Sequence, residues 1–170
     1  MNARTRLTLL LSATLAIVPL AACGSSGSGA AGQGQGQEQQ TGMANPFVDC
    51  ETAADAAQLA GFDVTFPESV PGYSNRAYQA VEGKMVQCIY SEGDAKVIIR
   101  KGVGDEDISG DYNEYASVET AVVRGIDVVE KGDGETIHVA TWTLDGHTFA
   151  ILADQGLEAS VVEDLVVSLM

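Results

Sequence analysis

The dipeptide Asp145-Gly146 separates two stretches in which apolar and polar residues alternate, 136–144 and 147–153. Strands are expected on both sides, because Asp-Gly between alternating stretches is a strong short signal for a β-hairpin. Pairing outwards from the turn places Leu144 opposite His147, Trp142 opposite Phe149 and Ala140 opposite Ile151 on one face. The other face carries Thr141, Thr143 and Thr148. The pattern predicts a half-buried hairpin with Trp142 and Phe149 in its core.

Glycine-containing loops predict five more strands upstream of this hairpin. They are expected at 77–81 and 84–91 around Glu82-Gly83, at 95–101 after Glu92-Gly93-Asp94, and at 120–123 and 126–130 around Arg124-Gly125. In the pair 84–91 and 95–101, Val86, Cys88 and Ile98 are expected to share one face, with Met85, Ile89, Val97 and Ile99 on the other. Both faces of that pair carry apolar residues, so both are candidates for burial.

Two helices are predicted near the ends of the folded region. Thr52 and Asp55 form a capping box before residues 53–60, and Gly61 follows as a helix terminator. Ser160 and Glu163 form a second capping box, and the following helix carries an apolar stripe at Val162, Leu165, Val166 and Leu169. The predicted fold class is therefore α+β: a curved antiparallel sheet of about seven strands with an N-terminal and a C-terminal helix packed on it. A β-sandwich without helix packing is the alternative.

Residues 1–22 have the layout of a secretory signal peptide. Arg4 and Arg6 precede the apolar stretch 7–18, which is shorter than the roughly 20 residues of a membrane-spanning helix. Leu20-Ala21-Ala22-Cys23 resembles the bacterial lipobox, in which the cysteine thiol is joined to diacylglycerol before the leader is removed. The resemblance implies lipidation of Cys23 and attachment to the cell membrane, on its extracytoplasmic face, by acyl chains such as palmitate.

The residues that follow Cys23 are expected to form a tether. The stretch 24–42 consists of Gly, Ser, Ala, Gln and Thr apart from the single charged residue Glu38, so it buries too little apolar area to order itself. Its root-mean-square reach as a Gly-rich coil is about 24 Å. We therefore divide the chain into the signal peptide 1–22, the lipidated cysteine and flexible tether 23–44, and a single globular domain 45–170.

The chain is strongly acidic. All 24 acidic residues lie beyond Cys23, whereas two of the nine basic residues belong to the leader, so the mature charge is 7 − 24 = −17. Such a surface repels phosphate groups, which argues against nucleic-acid binding. Five of the remaining basic residues lie close together in sequence: Arg76, Lys84, Lys96, Arg100 and Lys101. They form either a patch for an acidic partner or separate exposed positions on strands.

Four segments resemble a family of small lipoproteins of Gram-positive bacteria that is related to a domain of unknown function. They are Asn45-Pro46-Phe47, Ala60-Gly61-Phe62, the run from Glu106 to Asn113 (EDISGDYN) and Ala140-Thr141-Trp142. The resemblance covers nearly all of residues 45–170. It implies a location in a Gram-positive envelope and carries no activity with it.

The sequence carries only weak signals for catalytic or ligand-binding residues. His138 and His147 are expected on one face of the last hairpin, without an acid or cysteine spaced to complete a metal site. No serine or cysteine lies in a nucleophile motif. Trp142 and the tyrosines are candidates for a carbohydrate groove or, alternatively, for the core. No cofactor is predicted.

The loop 105–113 is a weak candidate for a calcium site. Asp105, Asp107, Ser109 and Asp111 provide oxygen at alternate positions, and Gly110 occupies the position of the sharp turn. The twelfth position, which needs a bidentate glutamate, is Ala116, so an EF-hand is excluded. The alternative is a solvated connection in which Ser109 and its neighbours only form the turn.

Cys50 and Cys88 are predicted to form a disulfide. Export places the domain where disulfides persist, and lipid occupies the third cysteine, so two thiols remain. The alternative is two separately buried thiols.

Two classes of function remain open. The first is a lipid-anchored binding or interaction module of the cell envelope, with an envelope protein or ligand as its partner. The second is an envelope-acting enzyme whose site is not visible in the sequence. We favour the first class, because a fold supplies no chemistry without a site.

Overall fold

The computed structural model describes residues 45–170. Its elements are β1 (Val48–Cys50), α1 (Ala53–Ala60), β2 (Asn75–Val81), β3 (Met85–Glu92), β4 (Ala95–Val103), β5 (Ser117–Val123), β6 (Ile126–Gly132), β7 (Ile137–Leu144), β8 (His147–Leu157) and α2 (Ala159–Ser168). Within these residues, no helix is long and apolar enough to cross a membrane.

All eight strands form one antiparallel sheet with the order β1-β2-β3-β4-β8-β7-β6-β5. Two four-stranded meanders, β1–β4 and β5–β8, are joined by the pairing of β4 with β8. The seven predicted strands are all present, and the additional strand is β1, whose three residues are too few to show an alternation. An antiparallel sheet with two helices is thus confirmed as the architecture.

The core lies on one face of the sheet, which we call the inner face. Residues of both helices share one hydrophobic cluster with Trp142, Phe149 and Ile99. The predicted stripe of α2 is buried at all four positions. The predicted pairing of Trp142 with Phe149 is also confirmed, and their rings stack with centroids 5.1 Å apart.

The predicted capping box is present at the start of α1 but not at the start of α2. The capping box of α1 is confirmed, because the Asp55 amide donates to Thr52 Oγ1 and the Thr52 amide donates to Asp55 Oδ2, each at 3.1 Å. The capping box predicted for α2 is wrong. Strand β8 continues to Leu157, so α2 begins directly after it with Glu158 at the N-cap position and no side-chain cap.

The side chains of β4 lie on the faces opposite to those predicted, because β3 and β4 pair one residue away from the predicted register. Strands β3 and β4 are joined by two residues, since Glu92 pairs with Ala95, and Gly93 has the positive φ of 58° that a tight turn favours. A prediction of three loop residues shifts the pairing by one, which turns every side chain to the opposite face. In the structure, Val97 and Ile99 share the inner face with Cys88.

A row of hydrogen-bonded polar side chains runs across the outer face of β1–β4. Along one row across the strands, Gln79 Nε2 donates to Asp49 Oδ1 at 2.7 Å, Gln87 Nε2 to Gln79 Oε1 at 2.6 Å, and Arg100 Nε to Gln87 Oε1 at 2.7 Å. Arg100 Nη1 also donates to the carbonyl oxygens of Ile108 and Ser109. Arg100 therefore fixes the segment 104–116, which we call the covering loop, on this face.

The covering loop also buries a threonine that was expected to be on the open face. Thr148 Oγ1 donates to the Gly104 carbonyl oxygen at 2.9 Å, and the side chain is 3% exposed. The last hairpin is therefore covered on part of its second face, which the alternating pattern alone does not predict.

The predicted disulfide between Cys50 and Cys88 is not formed, and both residues are free thiols. Cys50 pairs with Tyr78 across β1 and β2, and Tyr78 pairs with Cys88 across β2 and β3. Two inter-strand spacings of about 4.8 Å separate the cysteines by roughly 9–10 Å, beyond the ~7 Å limit for a disulfide. The two residues are close in the sheet, but a strand lies between them.

We expect the two thiols to differ strongly in reactivity. Cys88 is fully buried, and this burial raises its pKa to about 11, so the thiol stays protonated at pH 8. Cys50 lies on the short edge strand and is only half-buried. Maleimide labelling of the folded protein at pH 8 should modify Cys50 at least about 100-fold faster than Cys88, since Cys88 reacts only after local opening.

The unfolded protein is the control for that measurement, because both thiols should then label at the same rate. A lower mass of the intact protein before reduction than after it would show a disulfide and contradict the pairing described here.

Candidate interaction surface

Strand β5 forms one free edge of the sheet. It pairs with β6 on one side, and nothing within residues 45–170 pairs with its other side. The opposite edge is β1, which has only three residues, whereas β5 has seven and contains no proline or lysine. Proteins commonly protect long edge strands with such residues, because the unpaired backbone groups can bind another strand. The β5 edge has neither proline nor lysine, and its one charged residue is Glu119.

The turn before β6 determines which backbone groups of β5 are free. Val123 pairs with Ile126 across Arg124-Gly125, whose φ values of 51° and 89° are those of a type I′ turn. The residues that flank such a turn form a hydrogen-bonded pair, and hydrogen-bonded pairs recur at every second residue. The N–H and C=O groups of Val118, Thr120 and Val122 consequently point away from β6, towards the free edge.

The same three residues carry exposed side chains on the outer face. Val118 is 62% and Val122 is 70% exposed, and Thr120 between them is also exposed. Val129 of β6, which pairs with Thr120, continues this surface. We call these four residues the β5 strip. Lys131 and Asp127 of β6, directly opposite Val118 and Val122, border the strip with charged side chains. Exposed apolar residues with a polar border mark interaction surfaces more often than single exposed residues do.

The inner side of β5 is acidic. Glu119 pairs directly with Glu130, and Ser117 Oγ donates to Glu119 Oε1 at 3.0 Å. Burial raises the pKa of Glu130, and the nearby carboxylates of Glu119 and Glu163 raise it further. Like charges opposite each other destabilise a strand pair. This side of the edge therefore favours a positively charged group.

The residues of the weak calcium candidate are used to form turns. Asp107 Oδ1 accepts from the Ser109 amide at 2.7 Å, and Ser109 Oγ accepts from the Asp111 amide at 3.2 Å. Burial acts to raise the pKa of Asp107, but the hydrogen bonds from Ser109 outweigh it and the pKa is lowered. Asp105 is exposed, and within the described part of the chain no three potential metal ligands converge. Asp107 and Ser109 thus use these oxygens to form turns of the covering loop.

The two histidines lie on different faces, so the prediction of a shared face is wrong. A bulge between Ile137 and Val139 interrupts the alternation at His138, which stacks on Tyr115 of the covering loop. His147 instead contacts Phe62 after α1, edge to face at 5.0 Å. Trp142 is buried in the core and cannot line an exposed carbohydrate groove.

The five clustered basic residues do not form one patch. Arg100 lies on the outer face, whereas Lys101 lies on the inner face, where its Nζ donates to the Asp63 carbonyl oxygen at 2.7 Å. Neighbouring residues of a strand point to opposite faces, which separates them. Arg76 reaches the Pro67 carbonyl oxygen, while Lys84 and Lys96 are exposed.

A cleft of about 370 Å³ lies beneath the covering loop. Its walls include Asp111, Tyr115, His138, Leu152 and Asp154. Several of its polar groups already have partners within the protein, since His138 Nδ1 contacts the Ala153 carbonyl oxygen and Asp111 Oδ1 accepts from Asn113. The cleft is therefore a weaker candidate than the β5 edge.

Sequence reasoning did not identify the β5 edge, and the predicted lipidation site Cys23 lies outside the described residues. The residues 117–123 show alternation, but their place in the sheet depends on the pairing of β4 with β8, which are far apart in sequence. The signal that was available is the pair of valines Val118 and Val122, which alternate with Glu119 on a strand without lysine or proline.

Replacement of Glu130 tests the acidic side of this edge. The folded-state pKa is raised above the unfolded value, so ionisation of Glu130 destabilises the fold above about pH 4.5 and has no effect once the group is protonated in both states. We expect Glu130→Gln to increase the free energy of unfolding by about 0.5 kcal/mol at pH 7, since partial exposure screens the charges.

Urea unfolding, followed by the fluorescence of the single tryptophan Trp142, measures this difference. The gain should disappear at pH 3.5, and Glu68→Gln, at an exposed position, should show no gain at either pH. A lower stability of Glu130→Gln at pH 7 would contradict the described charge cluster.

Comparisons with known proteins give no match for this chain. No protein-family model, no curated protein and no solved structure is similar enough to count as one. The function is therefore inferred from the residues of the chain itself.

Proposed function

We propose that the protein is a lipid-anchored binding module of a bacterial envelope, held at the extracytoplasmic face of the cell membrane through Cys23. The observation that carries this proposal is the free edge of β5 with the exposed β5 strip beside it. An extended segment of a partner binds such an edge by adding a strand, because backbone hydrogen bonds give affinity and alternate side chains give specificity.

The position of β5 suits display on a tether. The described residues begin at Asn45, just before β1 at one edge of the sheet, and β5 is the other edge. Seven inter-strand spacings of about 4.8 Å separate the two edges by up to about 34 Å. A partner on β5 would therefore bind at the side of the domain opposite the point where the tether joins it.

The lipobox-like stretch and the Gly-rich tether support the location, and the resemblance to Gram-positive lipoproteins supports the type of envelope. The charge of −17 supports an extracytoplasmic surface that neither nucleic acid nor anionic lipid head groups attract. These sequence features and the β5 edge together favour a protein partner in the envelope.

The location is tested by replacing Cys23. In a Gram-positive host, the wild-type chain should incorporate a fatty-acid probe and fractionate with the membrane, and Cys23→Ser should lose the label. Undiminished labelling of Cys23→Ser would contradict the proposed anchor.

The binding role is tested in the same cells by photo-crosslinking. A photoreactive amino acid at Val122 should produce a crosslinked product, whereas the same amino acid at the exposed turn residue Asp94, which is remote from β5 in the strand order, should not. Equal yields of crosslinked product from Val122 and Asp94 would contradict a partner on β5. The absence of crosslinked product from every exposed position would contradict it as well.

A further inference from the structure

We propose that the free edge of β5 binds an extended peptide segment in which β-branched apolar residues alternate with lysine or arginine. This inference rests on the proposed function and specifies the chemistry of its partner. It follows from the two faces of β5, which present different side chains to an added strand. The outer face presents exposed valines, and the inner face presents Glu119.

The outer side selects apolar residues. Val118, Thr120 and Val122 direct their free backbone groups towards the edge, so partner residues that bond to them would lie directly opposite. Residues directly opposite in an antiparallel pair project from the same face, with their Cβ atoms about 5 Å apart. β-Branched side chains at those positions would pack on Val118 and Val122, which are now largely exposed to water.

The inner side selects cations. The intervening partner residues would face Glu119, beside Glu130 and Glu163, whose mutual repulsion a single positive charge would relieve. The neighbours of Glu119 on this side, Ser117 and Ala121, are small and leave room for the long stem of a lysine or arginine. One strand of alternating residues thus satisfies both sides at once.

A second copy of the chain satisfies them less well. Two β5 strands paired antiparallel around Thr120 would match Val118 with Val122 on the outer side. The inner side would then hold two copies of the Glu119 and Glu130 pair, between two domains whose residues 45–170 each carry a charge of 7 − 23 = −16. Like charges at close distance in an interface disfavour association, so charge complementarity favours the basic segment.

The test uses the full-length lipidated protein in a non-ionic detergent and a fluorescent peptide of alternating valine and lysine. Anisotropy at ~0.15 M salt should show saturable binding. A peptide of alternating valine and glutamate should bind at least about tenfold more weakly. The valine–lysine peptide methylated on the backbone nitrogens of its valines has the same charge but lacks the donors facing β5, and it should also bind at least about tenfold more weakly.

A matched pair of variants at one position tests the edge itself. Thr120→Pro removes an outward N–H that takes no part in the pairing with β6, and proline is tolerated at edge strands in that position. We expect it to weaken peptide binding about tenfold, while Thr120→Ala, which keeps the N–H, should change binding less than about threefold.

Replacement of the charge on the inner side provides a second variant that leaves the backbone unchanged. Glu119→Lys should weaken binding of the valine–lysine peptide and strengthen binding of the valine–glutamate peptide. The ratio of the two affinities should therefore fall at least about tenfold. An unchanged preference would overturn the assignment of the cationic positions.

Equal binding of the methylated and unmethylated peptides would overturn strand addition, because only charge would then act. A dimer that Thr120→Pro dissociates would assign the edge to a second copy and would also overturn the inference. These outcomes leave the proposed envelope role intact. A wild-type chain that incorporates no fatty-acid probe and gives no crosslinked product at Val122 would instead remove that role, without reference to the peptide.

Discussion

The Arg100 guanidinium holds the covering loop on the sheet, and this contact determines which half of the outer face is closed. It links the row Asp49, Gln79 and Gln87 to the carbonyl oxygens of Ile108 and Ser109. Burial lowers the pKa of Arg100, but a guanidinium remains charged at any physiological pH. Removal of one partner from such a buried charged contact leaves the other groups without hydrogen bonds. The resulting loss of stability is larger than the net contribution of the contact itself. The loop and the outer face therefore stay together.

The same arrangement leaves the other half of the outer face open. The covering loop crosses β4 and β8, where it buries Thr148, and it does not cover the β5 strip. The inner face is filled by the two helices along most of the sheet. The exposed apolar residues of β5 therefore lie at a free edge of the sheet, on its open outer face, and the inner face of the same strand is acidic.

Local signals in the sequence predicted what depends on neighbouring residues. The Asp145-Gly146 turn and the capping box of Thr52 and Asp55 are confirmed, because each is decided within a few residues. The register of β4 was predicted wrongly, because a loop of two residues and one of three differ by a single position and reverse every face. The start of α2 was missed because β8 runs four residues further than its alternation indicates.

The candidate site could not be predicted in the same way. Whether β5 is a central or an edge strand depends on the contact between β4 and β8, and no local pattern encodes that pairing. The cysteines show the same difficulty, since their positions in sequence suggested a bond that the intervening Tyr78 prevents. The acidic loop 105–113 had the composition of a cation site, but its oxygens are used for turns.

Amide hydrogen exchange along β5 tests the free edge most directly. The amides of Glu119 and Ala121 point towards β6 and should be protected, whereas those of Val118, Thr120 and Val122 should exchange close to the rate of an unstructured chain. Residue-resolved exchange of the full-length protein measures all five amides in one experiment. An alternation of slow and fast exchange is the result we predict, and uniform protection along 118–122 would contradict a free edge.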